Sequence, residues 1–77
     1  MNNNEEMLHK VQNYRKIVLI YEGLHAEINK LIMENGGGTE KMSPADLQRY
    51  RQLATQRDEV MNEMRVLELQ LLDEDET

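Results

Sequence analysis

Apolar positions in the first half of the chain can be laid over those in the second so that nearly every pair of residue numbers adds to one total. The first stripe is Met7, Val11, Tyr14, Val18, Tyr21, His25, Ile28 and Ile32, in alternating steps of four and three. The second is Leu47, Tyr50, Leu53, Arg57, Val60, Met64, Leu67 and Leu71. Pairs from 7 with 71 inward to 28 with 50 add to 78, and 32 with 47 adds to 79. Steps of three and four put side chains on one face of an α-helix. A constant sum means that the two faces run in opposite directions, with a positions of one helix against d positions of the other. The chain is therefore expected to be all-α, an antiparallel, coiled-coil-like two-helix hairpin. Its predicted seam is Val11, Tyr14, Val18, Tyr21 and Ile28 against Tyr50, Leu53, Arg57, Val60, Met64 and Leu67.

Local signals place the ends. The first helix is expected over about 5–34, with Asn4 as its N-cap and Glu5 and Glu6 in the first turn, where the helix dipole favours acids. Glu6 and Lys10 stand four apart in the favourable order. Asn35 and the glycines 36–38 terminate it, because glycine accepts the left-handed conformation past a helix end. A loop over 35–43 leads to Ser43 as N-cap, Pro44 at the first helical position and Asp46 three residues after the cap. Met42 and Leu47 occupy the staple positions. The second helix is expected to reach about residue 72, and the acidic run 73–77 to fray, since it opposes the C-terminal dipole. The whole is read as one domain. Gly23 costs about 1 kcal/mol relative to alanine inside a helix, either as a tolerated weak point or as the mark of a close helix approach.

Composition narrows the function classes. The absence of cysteine excludes disulfides and thiolate metal sites. The longest strictly apolar run, residues 17–21, is far short of the ~20 residues a membrane span needs. No basic-plus-apolar leader opens the sequence, and a cytoplasmic location is expected. Net charge is −6, divided as −1 over residues 1–38 and −5 over 39–77. Bulk attraction to nucleic acid or to an anionic membrane is therefore not expected.

The apolar arc of the first helix is wider than one neighbour can cover. Ile17, Ile20, Leu24 and Leu31 form a second stripe beside the seam, and Met61 and Ala54 flank the seam of the second helix. Val66, Leu69 and Leu72 also point away from it. Apolar surface of that extent marks an interface. Ile17, Ile20, Leu24, Leu31 and Met61 are thus the predicted contact surface for a second copy, giving a dimeric four-helix bundle, or for another helical partner. The expected function is that of a small non-enzymatic interaction or assembly module: an adaptor, a chaperone-like protein or a regulatory subunit. No catalytic, cofactor-binding or metal-binding residue is assigned. In the seam, Arg57 is expected to face Tyr21, and His25 to face Leu53, as polar groups that fix register.

The residues admit two other readings. Lys30, Lys41, Arg49 and Arg51 gather near the predicted hairpin tip, with Tyr50 among them, as a regulatory RNA-binding surface would require. Glu6 with His9, and Glu22 with His25, have the Glu-x-x-His spacing of ferritin-like metal sites. Around His25, however, the second helix offers Leu53, Gln56 and the cation Arg57, which is unfavourable beside a metal. The glycine run lacks the lysine of a phosphate loop, and the one serine is used as a helix cap, leaving no Ser-His-Asp set.

Overall fold

A computed structural model of the chain describes residues 3–76, with side chains over 4–72. It contains two helices, α1 (Asn3–Glu34) and α2 (Pro44–Glu76), packed against each other. Three contacts between side chains of the two helices, or of their ends, show that the helices are antiparallel and near the expected register. Tyr14 bonds Glu68, Arg49 pairs with Glu27, and Asn35 bonds Asp46. The result is a rod of 55 × 16 × 15 Å. Its radius of gyration is 16.9 Å, against about 11–12 Å for a compact chain of this length.

The tip is the most fully specified part of the rod. The Gly37 amide donates to the Ile32 carbonyl at 2.9 Å and the Gly36 amide to the Met33 carbonyl at 3.3 Å. This is a Schellman closure, which needs a left-handed residue after the cap; Gly36 supplies it with φ of +82°, and Gly37 follows at +93°. The Asn35 side-chain amide donates to the Leu31 carbonyl at 2.8 Å and reaches the Asp46 carboxylate at 3.4 Å. One residue thus satisfies an orphan carbonyl of α1 and ties it to the first turn of α2. Ser43 caps α2 as expected, its Oγ accepting from the Asp46 amide at 3.1 Å. Met42 packs on the core beneath.

Both outer helix ends differ from expectation. Helix α1 begins at Asn3, so Asn4 lies inside the first turn and is not its cap. Helix α2 continues to Glu76, and the acidic run is helical where fraying was expected. The unfavourable dipole interaction is worth only ~0.3–1 kcal/mol at an exposed end and is screened by salt, too little to unwind a turn that follows Leu71 and Leu72. Thr77 and the side chains of 73–76 lie outside the described residues.

The core sits at the tip end. Among the described residues only Ile28, Leu31 and Leu53 are buried, at 3%, 8% and 5% exposure. Leu24, Ile32, Met42 and Tyr50 pack around them. Every other residue of the predicted seam is half-buried: Val11, Tyr14, Val18 and Tyr21 on α1, and Arg57, Val60, Met64 and Leu67 on α2. Toward the tip the buried face of α1 turns by one residue. Leu24 points in and His25 is exposed. Desolvating an imidazole costs free energy, whereas burying the neighbouring leucine gains ~1.5–3 kcal/mol. His25 is therefore not set against Leu53; its ring stacks on Tyr21, with centroids 6.0 Å apart and planes at 18°.

Gly23 marks no close approach of the helices. It is exposed, and a Cβ built on it would meet nothing within 4 Å.

Candidate interaction surface

The predicted contact residues are distributed differently by the structure. Leu31 is buried within the hairpin itself and cannot serve an outer surface. Leu24 is half-buried against the same core. Ile17 is half-buried at the edge of the rod, and Ile20 is 52% exposed. Met61 lies level with Ile17, since 17 and 61 also add to 78, but on the other flank. Two residues separate Met61 from Glu63, or about 200° around the helix, and Glu63 is the residue that borders Ile17.

What replaces the expected stripe is a shallow groove between the helices on one flank, of about 370 Å³. Ile17 from α1 and Val66 and Leu67 from α2 form its apolar floor and wall, and Asn13, Glu63 and Gln70 edge it. Val66 is 55% exposed. The remaining large exposed apolar side chains follow a gradient along the rod. Leu8, Leu69 and Leu72 lie toward the open end, Leu19 at the middle beside Ile20, and Met33 alone at the tip. The dry core thus sits at the tip end, while all the large exposed apolar side chains but Met33 lie between the middle of the rod and its open end. Apolar side chains arranged this way can exclude water only against another apolar surface.

The polar groups are held in local pairs. Arg57, with its side chain 28% exposed, lays its guanidinium on Asp58, the Nε to Oδ1 distance being 3.5 Å; Tyr21 meets His25 instead. The expected Tyr21–Arg57 pairing is thus replaced by two separate contacts. The Tyr14 hydroxyl donates to the Glu68 carboxylate at 2.7 Å. That hydrogen bond, followed by partial desolvation and the carboxylate charge, raises the Tyr14 pKa above its usual 10.0. Sequence reasoning missed this contact, though Tyr14 at a seam position and an acid four residues beyond its expected partner Met64 are both visible in the sequence.

The cations near the tip do not converge. Arg49 Nη2 pairs with Glu27 at 3.0 Å, in a depression shared with Lys30 and a second acid, Glu34. Arg51 lies about 200° away around α2, among Gln48, Gln52 and Thr55. The Lys41 stem runs beside Gly36. Among the described residues no three histidine, aspartate or glutamate side chains stand close enough together to hold a metal ion. No helix of the described residues is long and apolar enough to cross a membrane. No family model, curated protein or solved structure matches this chain.

Proposed function

We propose that this chain is a non-enzymatic helical interaction module that works by packing the Ile17–Ile20–Val66 flank against another pair of helices. One observation carries the reading: three side chains are buried, while seven large apolar ones are more than half exposed among the described residues. Ile20 and Val66 keep more than half of their surface in water, and covering it against an apolar partner is favourable. The surrounding Asn13, Glu63 and Gln70 supply the polar rim that interfaces of this kind carry.

A photo-crosslinking amino acid placed at position 20 or 66, with the exposed position 15, about 200° around α1 from Ile17, as control, tests the assignment in the native host. Adducts at 20 and 66 that are absent at 15, and whose partner peptide maps to a helix, are the expected result. Equal labelling at all three positions, or none, would overturn it.

A further inference from the structure

We infer that the partner on this flank is a second copy of the chain, packed antiparallel so that the open end of each hairpin lies beside the tip of the other. This rests on the reading of the flank as a helix-docking surface and adds its occupant and its orientation. Three observations carry it.

The first is area. The chain exposes 6079 Å², against about 4,900 Å² for a compact protein of its mass. The excess of roughly 1,200 Å² exceeds the ~800 Å² that a stable interface takes from each partner. One more hairpin of the same length is enough to cover it.

The second is position. Ile17 and Ile20 straddle the midpoint of α1, whose ends are Asn3 and Glu34. In a two-fold dimer the patch on the symmetry axis meets its own copy. An axis through the middle of the rod makes Ile17 and Ile20 self-complementary and lets two antiparallel hairpins overlap along their whole length. Val66, level with residue 12 by the sum of 78, extends the patch about 10 Å to either side of that axis in the pair.

The third is charge. Residues 3–10 and 68–76, which the hairpin brings to the open end, carry one Lys and seven Asp or Glu, a net −6. Residues 11–67 carry eight of each sign, a net of zero. The net charge of the chain is therefore carried by residues whose backbone lies toward one end of a 55 Å rod. Parallel packing would place twelve uncompensated negative charges side by side. Antiparallel packing separates the two acidic ends by several Debye lengths, each being ~8 Å at physiological ionic strength. It sets each acidic end beside a tip of zero net charge, where Lys30, Lys41, Arg49 and Arg51 balance Glu27, Glu34, Glu40 and Asp46.

The natural chain has no cysteine, so Glu40→Cys at the exposed tip accepts a single nitroxide. Light scattering at tens of micromolar should give twice the chain mass of 9.1 kDa. Pulsed dipolar spectroscopy should then give a tip-to-tip distance close to the 55 Å rod length. A distance on the order of 20 Å, as neighbouring helices 8–10 Å apart would give once the label linkers are added, overturns the antiparallel arrangement. A mass of one chain overturns the second copy; if crosslinks from position 20 then run only to a different helical protein, the docking surface stands and only its occupant changes. Ile20→Glu and Val66→Glu should each weaken self-association at least about tenfold, with helical circular dichroism retained at high concentration, because neither side chain belongs to the buried core. Unchanged association in both variants also overturns the inference.

Discussion

At single positions, the structure turns on which of two neighbouring residues faces inward. His25 and Leu24 compete for one place on α1, and the leucine takes it. The heptad spacing of 18, 25 and 32 is as regular as that of 17, 24 and 31, so periodicity alone did not separate them; the desolvation cost of imidazole does. Leu31 entered the core by the same turn and left the predicted contact surface. Leu53, in the buried core, should be the costliest alanine site: Leu53→Ala is expected to lose ~2–5 kcal/mol in chemical denaturation. Gly23 gives the opposite sign. With open space around its missing Cβ, Gly23→Ala should stabilise by up to ~1 kcal/mol, seen as a higher unfolding midpoint. Tyr14 gives a pH dependence. Its pKa is raised in the folded chain, so the proton is held more tightly there than in the unfolded one. The resulting stability is fully present below about pH 10, the ordinary tyrosine value, and is lost as the pH climbs through the raised folded value. Tyr14→Phe should remove that part of the alkaline loss, as followed by circular dichroism between neutral and strongly alkaline pH.

In the helices, the caps at the tip were legible and the outer ends were not. Ser43, Pro44 and Asp46 form a local signal with one physical solution, and the glycine run demands a left-handed residue that only its exact placement left open. Gly36→Ala should cost ~1–2 kcal/mol because its φ is +82°, while Ser43→Ala should cost about 1 kcal/mol through loss of the cap. Equal effects of alanine at 36 and 38 in thermal melts would contradict the assignment, since Gly38 carries no positive φ. The helical acidic run and the early start of α1 depend on small dipole and fraying energies that a pattern of residue types does not resolve. The Asn35 bridge to Asp46 is a long-range consequence of the turn, and the sequence reads it only as a helix terminator.

Over the whole molecule, the antiparallel pairing was legible because a constant sum of residue numbers is a geometric statement. Where water is excluded was not, because half-burial along a two-helix rod looks the same in sequence as full burial in a bundle. The hairpin concentrates its dry contacts at the tip end and leaves most of its exposed apolar side chains between the middle and the open end. An isolated rod of this kind should open from the end that lacks a core, and association should close that end first. Amide hydrogen exchange at low and at hundredfold higher chain concentration tests this most directly. Amides over 8–20 and 60–72 are predicted to exchange markedly more slowly at the higher concentration, while those around Ile28 and Leu53 change less. Exchange at the open end that is the same at both concentrations would contradict the account.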